Sequence, residues 1–492
     1  MQFKVKDMDI ATGGIMIAIL NEKDAHKLDL RSGDRIVINY KRKQAICILD
    51  IGESSKAVPE GHVGLMEEVL DKLQVIHNKI VDLKPTGKPE SLTHIREKLM
   101  GKELSYEDLF EIAKDITNDA LTDIEKTYFV SACFTRGLSH REIVDLTKAM
   151  VDAGTKIKFG DMVLDKHCVG GVPGNRTTMI VIPIIAAAGF IIPKTSSRAI
   201  TSPAGTADTM ECLAKVELSE HKIKEIVKKT GACMVHGGSM NLAPADDKII
   251  EVEHPLSIDA EGQLLASVMA KKYSVSATHV LIDIPMGKST KATTHKEANH
   301  LKAMFEMVGR KLGMDVQVII TDGSKPIGRG IGPLFEAEDV MSVLRNDPKA
   351  PQDLKEKTLF MAGKLLEMTG KYKKGNGYKI AQGILQGGLA WKKMNQIIDA
   401  QGKQSKILPG EYVCSVISNK KGTIVAVDNE IIAKIARIAG APHDKGAGLI
   451  LSKNVGDKVN RGELLYEVYA YSQFKLDLVQ EFLKENNGYL VR

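Results

Sequence analysis

The feature that most constrains the fold of this chain is a repeated order of apolar strand, glycine-rich loop and helix that begins near residue 158. The order continues through the apolar segment 319–322 and beyond it. Because strands that alternate with helices usually pair side by side in parallel, this order predicts a mostly parallel α/β sheet. A chain of 492 residues is too long for one core, so three or four structural units are expected.

Changes of pattern along the chain predict an α/β multidomain fold with four parts. Short alternating strands open the chain, and capping boxes at Thr122 and Ser139 begin helices in the next part. After the α/β part, glycine-separated strands surround one helix, predicted at Asn429–Ala439. The predicted parts are a small β-rich, barrel-like assembly domain at 1–84, a helical lobe at 85–155 to which 242–275 returns, a mostly parallel α/β lobe at 156–409, and a C-terminal α+β subdomain at 410–492.

Composition narrows the class of function. The formal net charge is only +6, and the basic residues form short clusters, whereas nucleic-acid binders concentrate positive charge on one face. The six cysteines lack the paired spacing of a zinc site or a disulfide framework. The longest apolar run, at 179–193, is too short to span a bilayer. We therefore expect a cytoplasmic protein that binds no nucleic acid, membrane or metal.

The first segment that carries chemistry is the glycine-rich turn at 165–178, between an apolar strand-like stretch and an apolar helix-like one. Its glycines let the backbone approach an oxyanion, which N–H groups at a helix start can hold. Lys166 adds a positive charge and Thr178 adds a hydroxyl. The order of a Walker loop is absent. Taken alone, this turn leaves anion binding and simple tight packing equally open.

A second loop, at 194–208, contains several hydroxyls together with Arg198 and a glycine. Arginine binds phosphate through a two-pronged fork, and serine and threonine add neutral donors. Two such loops, about thirty residues apart, suit one mononucleotide-sized site at the carboxyl ends of neighbouring strands. The alternative interpretation is a polar surface turn.

Four segments, in order, resemble the motifs of the thymidine and pyrimidine-nucleoside phosphorylase family. They are the turn at 165–178, the loop at 194–208, the segment 241–246 and the helix-like segment 264–272. The resemblance extends from about residue 90 to the end of the sequence. It implies one helical and one α/β lobe that close over phosphate and nucleoside.

The resemblance also implies roles for single residues. His167 would lie at the reaction centre, while Ser267 and Lys271 would face the base. The residues that would hold the attacking phosphate are Lys166, Thr178, Ser196 and Thr206.

Three departures from the family pattern affect the expected specificity. Cys168 stands where the family has a phosphate-binding serine, and Pro173 is inserted. Val252 falls near the position of the base-binding arginine of pyrimidine-specific members. The last departure argues against specificity for pyrimidine nucleosides.

The additional N-terminal domain and the amino-acid sequence of the second loop are similar to those of the archaeal AMP phosphorylases. This resemblance implies phosphorolysis of AMP, and of CMP and UMP, to free base and ribose 1,5-bisphosphate in AMP breakdown. It implies a homo-oligomer, dimeric or larger, with inorganic phosphate as co-substrate and no cofactor. The residues that would contact AMP are Gly171, Ser197, Arg198, Ala199, Ile200, Thr201, Ser202, Thr206, Ser267 and Lys291.

The departing base needs a proton, and a positioned acid accelerates such a step by about 10²–10⁴-fold. Asp259 is the preferred donor, as the AMP phosphorylase resemblance implies; its alternative role is to cap the helix that follows. His167 is the second candidate, with support of the phosphate loop as its alternative. Lys291 could pair with a phosphate or be an ordinary exposed lysine.

Other functions also fit parts of the sequence. The nearest is a phosphorylase of unphosphorylated pyrimidine nucleosides, as in the broader family. A phosphoribosyltransferase of the anthranilate type would need pyrophosphate chemistry with Mg²⁺. A catalytically inactive scaffold or nucleic-acid binder would bind DNA with steep salt dependence and release no base.

Overall fold

The computed structural model describes residues 1–199, 202–240, 242–253 and 260–492, in two compact units. One unit comprises Met1–Ala153 and Pro244–Gln263, and the other comprises Gly154–Ala243 and Leu264–Arg492. The returning segment is thus shorter than the predicted 242–275, and the predicted boundaries at 84 and 409 lie inside the units. Among the described helices, none combines the length and the apolar character needed to cross a membrane.

A closed six-stranded barrel opens the first unit, which confirms the barrel-like N-terminal domain. Alternate residues of its strands, such as Phe3 and Val5, point inward and are buried, so the period of two creates the core. The strand order is β1-β5-β2-β4-β3-β6, closed by antiparallel pairing of β6 with β1. The bounds are β1 (Gln2–Asp7), β2 (Ile17–Asn21), α1 (Glu22–Lys27), β3 (Arg35–Tyr40), β4 (Lys43–Gly52), β5 (His62–Leu65), α2 (Glu67–Leu73) and β6 (Ile80–Pro85).

Helices fill the rest of the first unit. Thr122 and Ser139 form the predicted capping boxes, and Ser105 forms a third with Asp108. Each box satisfies backbone N–H groups that the first helical turn leaves free. The helices are α3 (Ser91–Leu99), α4 (Tyr106–Thr117), α5 (Asp123–Arg136) and α6 (His140–Asp152), with Pro244–Glu253, labelled α10 below, returning to this unit.

Five parallel strands form the centre of the second unit. Three of them pair in the order β11-β10-β7, two more pair as β8-β9, and a parallel bridge from Val163 to Ile191 links the two groups. Helix α7 is apolar on all sides and is buried against α14 and α16. The bounds are β7 (Leu164–Cys168), α7 (Thr177–Ala187), β8 (Ile192–Ser196), α8 (Thr206–Glu211), α9 (Glu220–Thr230), β9 (Ala232–His236), α10 (Pro244–Glu253), α11 (Glu261–Tyr273), β10 (His279–Met286), α12 (His295–Lys311), β11 (Asp315–Asp322), β12 (Gly330–Ile331), α13 (Pro333–Leu344), α14 (Gln352–Met368), α15 (Gly377–Gln386) and α16 (Leu389–Gln401).

Two strands of this sheet continue further than the sequence suggests. The first was expected to end before Asp165, yet β7 runs to Cys168, which pairs with Asp283 of β10. Likewise β8 runs to Ser196, inside the predicted loop. Hydrogen bonding to neighbouring strands outweighs the polar character of these residues. Asp165 and Lys194 are at ion-pair distance, and Lys166 donates to two threonine hydroxyls. The polar residues therefore lie on rigid strand ends.

The C-terminal part of the second unit is α+β. Its four-stranded antiparallel sheet, β12-β15-β17-β13, includes β12 from the preceding α/β part. Backbone hydrogen bonds of this sheet therefore connect the α/β part to the C-terminal part. The helix predicted at Asn429–Ala439 is confirmed. The bounds are β13 (Tyr412–Ile417), β14 (Gly422–Val427), α17 (Asn429–Ala439), β15 (Gly448–Leu451), β16 (Lys458–Val459), β17 (Leu464–Ala470), α18 (Gln473–Glu485) and β18 (Tyr489–Val491).

Candidate active site

The glycine-rich turn after β7 and the hydroxyl-rich loop after β8 line one cleft of the second unit, about 1080 Å³ in volume. Because β7 and β8 run in parallel, their carboxyl ends lie at the same edge of the sheet. The turn contributes residues from His167 to Thr178, and the loop contributes residues from Lys194 to Thr206. The two candidate oxyanion loops are therefore close enough to hold one ligand.

Arg176 joins the two loops directly. Its guanidinium donates to the carbonyl oxygen of Ala204 at 2.5 Å and to Thr206 Oγ1 at 3.3 Å. It also forms an ion pair with the buried Glu336, whose pKa is raised by burial. Sequence reasoning gave Arg176 no role, although an arginine just before an apolar helix could have suggested a link to a neighbouring loop.

The turn requires glycine because of both its backbone conformation and its neighbours. Gly171 has φ +93°, and a Cβ there would lie 2.9 Å from the Ser289 carbonyl oxygen and from Thr290 Cα. A Cβ on Gly174, at φ +75°, would overlap the carbonyl oxygen of Ile327. Only glycine combines positive φ with such close backbone packing. The two glycines therefore let the turn pack closely against the segments that contain Ser289 and Ile327.

Lys166 lies beneath this surface. Its ammonium donates to Thr177 Oγ1 at 2.8 Å and to Thr178 Oγ1 at 3.2 Å, and its side chain is fully buried. Burial is the main reason that its pKa is lowered. Thr178 reaches the cleft, whereas Lys166 is outside the described lining of the cleft. In this conformation the Lys166 ammonium contacts a threonine hydroxyl that reaches the cleft.

A buried ion-pair network surrounds the base of the turn. Asp165 pairs with Lys272 at 2.7 Å and lies 3.6 Å from Lys194 Nζ. On the neighbouring strand, Asp283 pairs with Lys357 at 3.2 Å. Burial lowers the pKa of Lys272 despite its carboxylate partner. Such buried charges are tolerated only when they are paired, so the network constrains the geometry of the strand ends.

His167 lines the cleft beside this network, and its pKa is well below the usual value. Burial is the largest cause, followed by the positive charges of four lysines, of which Lys272 and Lys194 contribute most. The imidazole is therefore neutral near pH 7. A neutral imidazole is a poor proton donor, although it can still hydrogen-bond to substrate.

Arg198 does not have the free fork that was expected for phosphate. Its guanidinium contacts Glu211 at 2.7 and 2.8 Å, Glu217 at 2.8 Å and Asp208 at 3.3 Å. The bond from Arg198 lowers the pKa of Glu211 to about 2. Helix α8 brings Asp208 and Glu211 next to the arginine, so carboxylates occupy the donors that phosphate would use. Arg198 thus holds the loop in place.

Asp208, which was given no role at first, organises the second loop. Its Oδ2 accepts from the backbone N–H of Ala199 at 2.7 Å and of Gly205 at 2.9 Å, and its Oδ1 accepts from Lys445 at 3.2 Å. The side chain is only 2% exposed. Its position, three residues after the N-cap Gly205, is the acidic position of a capping box and was a usable signal.

The other predicted site residues fall into three groups. Ser196, Ser197, Ala199, Ser202 and Thr206 line the cleft, as does Lys271, which donates to Ser267 Oγ at 3.4 Å. Within the part of the chain that the structure describes, Ser267 and the exposed Lys291 are not among the cleft-lining residues. Outside the described residues lie Asp259, Ile200 and Thr201.

The residues that depart from the family pattern also have defined places. Cys168 Sγ accepts from Asn175 Nδ2 at 3.2 Å, and burial raises the pKa of the thiol, so it stays neutral. Pro173 lines the cleft. Val252 is a buried residue of α10 in the first unit.

Cationic side chains outnumber carboxylates in the described lining of the cleft, which includes a wall that sequence reasoning missed. This wall comes from α17, the turn that follows it and Lys475. A cleft lined largely by one sign of charge attracts ligands of the opposite sign. Among the described lining residues there is one carboxylate, Glu430, and seven cationic side chains: Arg176, Lys194, Arg198, Lys271, Lys434, Arg437 and Lys475.

Three family models match successive parts of the chain. Residues 92–154 match the helical bundle domain of a glycosyl transferase family, and 160–391 match the a/b domain of a glycosyl transferase family. Residues 423–489 match the C-terminal domain of pyrimidine nucleoside phosphorylases. The cleft is thus lined by residues from the second and third matched regions.

Curated proteins match along nearly the whole chain. A putative thymidine phosphorylase of Methylococcus capsulatus is 42% identical over 92% of this chain and 89% of its own length. AMP phosphorylase 1 of Archaeoglobus fulgidus is 44% identical over 97% of this chain and 95% of its own length. Among solved structures, anthranilate phosphoribosyltransferase of Thermus thermophilus shares the fold, with a TM-score of 0.53 and 18% identity over 62% of this chain and 98% of its own. The chain therefore belongs to the thymidine and pyrimidine-nucleoside phosphorylase family and is a phosphorylase whose substrates are phosphate and a nucleoside or nucleotide.

Proposed function

We propose that this phosphorylase acts on nucleoside 5′-monophosphates in AMP breakdown. It converts AMP and phosphate into adenine and ribose 1,5-bisphosphate, and it cleaves CMP and UMP in the same way. The observation that carries the proposal is the single cleft in which two oxyanion-type loops meet a predominantly cationic lining. The similarity to AMP phosphorylase 1 of Archaeoglobus fulgidus supports the choice of nucleotide over nucleoside.

In this proposal the two loops orient the attacking phosphate. Backbone N–H groups at Gly171 and the hydroxyls of Thr178, Ser196 and Thr206 hold its oxygens, with Lys166 supporting Thr178 from below. One phosphate oxygen forms a bond to C1′ while the C1′–N bond breaks and its electron pair leaves with the base. The sugar passes through an oxocarbenium-like state, which the negative charge of phosphate stabilises.

The leaving base takes a proton as it departs. We assign this proton to Asp259, because the neutral state of His167 makes the imidazole a poor donor near pH 7. His167 remains close to the reacting atoms as a hydrogen-bonding group. Lys271, which also lines the cleft, is placed by the family resemblance next to the base.

The test is base release from AMP, CMP, UMP, adenosine, uridine and thymidine, each with and without phosphate. The proposal predicts release that needs phosphate and a much higher kcat/KM for AMP than for adenosine. Equal or better cleavage of the unphosphorylated nucleosides would reject the nucleotide assignment while leaving a phosphorylase.

Phosphorolysis of unphosphorylated pyrimidine nucleosides is the second candidate function. It is favoured by the relative from Methylococcus capsulatus, which carries the name putative thymidine phosphorylase at 42% identity. Under this alternative, thymidine or uridine would be the best substrate in the same panel, and a 5′-phosphate would weaken binding.

A further inference from the structure

The cleft is larger than one phosphate site requires. Its volume of about 1080 Å³ is slightly above the range of small-molecule sites, which span roughly 300–1,000 Å³. The two loops form only one side of it. The other side is the C-terminal wall, defined here as the cleft-facing residues of α17, the following turn to His443, and Lys475.

Helical spacing places the charged residues of the C-terminal wall on one face of α17. Glu430, Lys434 and Arg437 are at positions i, i+4 and i+7, which lie on the same side of a helix. All three side chains are exposed in the cleft lining, and the exposed His443 follows in the turn. Among its described residues, the wall therefore offers a cluster of donors and one carboxylate, Glu430.

The ion pairs within the wall leave part of this positive charge available. Lys475 is compensated by Asp444, at 2.6 Å. Lys434 lies 4.5 Å from the ring centroid of Phe482, a contact that positions the ammonium without neutralising it. Within the described residues, no carboxylate oxygen lies at ion-pair distance from Lys434 Nζ. An anionic group could bind this ammonium without displacing a carboxylate.

The wall is fixed relative to the loop that contains Arg198. Lys445 forms ion pairs with Asp208 at 3.2 Å and Glu211 at 2.8 Å, the same carboxylates that hold the loop. Asn429 Nδ2 also donates to the carbonyl oxygen of Gly323 at 2.9 Å. The C-terminal wall and the second loop therefore form two sides of a pre-arranged site.

We propose that Lys434 and Arg437 of the C-terminal wall bind the 5′-phosphate of the nucleotide. This inference rests on the proposed function and deepens it. The two loops supply the groups for the attacking phosphate, while the fork of Arg198 is occupied by carboxylates and Lys291 is not among the described cleft-lining residues. A second phosphate needs a second set of cations, and the wall provides one in the same cleft.

The test compares the double variant Lys434→Ala/Arg437→Ala with Lys421→Ala/Arg461→Ala. The control removes the same charges from exposed C-terminal residues that are not among the described cleft-lining residues. We expect the first variant to raise KM for AMP by roughly tenfold or more, the effect of losing charge-assisted hydrogen bonds. KM for phosphate and kcat/KM for adenosine should stay within about twofold of wild type. The single variant Lys434→Arg, which keeps the charge, should retain most AMP binding.

The outcomes separate this inference from the proposed function. If the wild type prefers AMP and the first variant keeps that preference, the 5′-phosphate binds elsewhere and the inference is overturned while the proposed function stands. If the first variant instead raises KM for phosphate, the wall binds the attacking phosphate, and the inference about the 5′-phosphate is also overturned. If the wild type prefers thymidine or uridine, the proposed function itself fails. Thermal unfolding midpoints equal to the control would show that the variant is folded.

Discussion

At the scale of single residues, the proposed chemistry depends on which groups carry a proton. His167 is surrounded by lysines and is held neutral, whereas Asp259 is the carboxyl group assigned as acid. The two residues can be tested separately. The acid role of Asp259 predicts that the loss of turnover on its replacement depends on the leaving base, and the neutral imidazole of His167 predicts how folding stability changes with pH.

The first prediction concerns the proton donor. Asp259→Asn should lower turnover of AMP by at least about tenfold, because an amide cannot supply the proton that adenine needs. The loss should be much smaller for a nucleotide with an already cationic base, such as 7-methylguanine, which leaves without protonation. Steady-state kinetics on both substrates gives the comparison, with Glu261→Gln as a neighbouring control. An equal loss on both would indicate a structural role for Asp259.

The second prediction concerns His167 and acid stability. The unfolded chain binds a proton on this imidazole near its ordinary pKa of 6.5, whereas the folded chain does not, because its pKa is lowered. Folding stability is therefore lost as pH falls below 6.5, at up to about 1.4 kcal/mol per pH unit, until the folded pKa is reached. His167→Asn lacks this contribution, so its thermal unfolding midpoint should fall less steeply between pH 7.5 and 5.5. Parallel curves for wild type and variant would contradict the neutral imidazole.

At the scale of elements, the turn after β7 and the loop after β8 are each held by contacts that single-residue signals do not reveal. The turn packs its glycines against backbone atoms, including Ser289 O and Ile327 O. The loop is closed by Asp208, which binds two backbone N–H groups and two cations. Both elements can be disturbed without touching the predicted catalytic residues.

The third prediction uses two adjacent glycines. Gly170 and Gly171 both have positive φ, but a Cβ on Gly170 would meet nothing within 4 Å, whereas one on Gly171 would press on Ser289 and Thr290. Both substitutions carry the free-energy cost of a non-glycine residue at positive φ, so the comparison isolates the effect of close packing at Gly171. Gly171→Ala should therefore raise KM for phosphate at least about tenfold more than Gly170→Ala does. Kinetics at varied phosphate measures the difference. Similar effects of the two substitutions would show that the close packing of Gly171 is unimportant.

The fourth prediction concerns Asp208. Its replacement by alanine leaves two backbone N–H groups without their acceptor, while Arg198 and Lys445 keep Glu211, so stability should fall by about 1–3 kcal/mol. Asp161→Ala is the control, because Asp161 is 99% exposed and its ion-pair partner among the described residues is a surface lysine. Thermal unfolding and kcat/KM for AMP should both be reduced in the first variant and unchanged in the second. A variant as stable as the control would show that Asp208 does not organise the second loop.

Local signals predicted the elements better than the contacts between them. The sequence predicted the capping boxes at Thr122 and Ser139 and the helix Asn429–Ala439, because the residues that determine each of them lie close together in the chain. The carboxylate partners of Arg198 could not be predicted, because the fold brings Glu211 and Glu217 to it from outside the loop. Likewise, the C-terminal wall could not be inferred, since it depends on packing between segments more than two hundred residues apart in sequence.

At the scale of the whole molecule, residues from distant segments of the second unit combine to line one cleft with cationic side chains. Cations come from the turn, the loop, α11, α17 and α18, and only one carboxylate accompanies them among the described lining residues. Sheet pairing between β12 and β15 keeps the C-terminal part in place. Such a cleft is complementary to two anionic ligands held together.

The fifth prediction follows from this charge balance. Inorganic phosphate should raise the thermal unfolding midpoint, since a ligand at a hundred times its Kd stabilises the folded state by about 2.7 kcal/mol. AMP added with phosphate should raise it further. Sodium chloride at the same ionic strength serves as the control for screening. Equal shifts with chloride and phosphate would show that the cleft has no specific anion site.

The most direct measurement follows the oxygen atoms of phosphate into the product. AMP is incubated with the enzyme and ¹⁸O-labelled phosphate, and the sugar product is analysed by mass spectrometry. Attack by a phosphate held between the two loops predicts ribose 1,5-bisphosphate that carries the labelled phosphoryl group with all of its label. Unlabelled ribose 5-phosphate would mean that water attacks C1′, and it would contradict the central claim that the two loops hold phosphate beside the ribose.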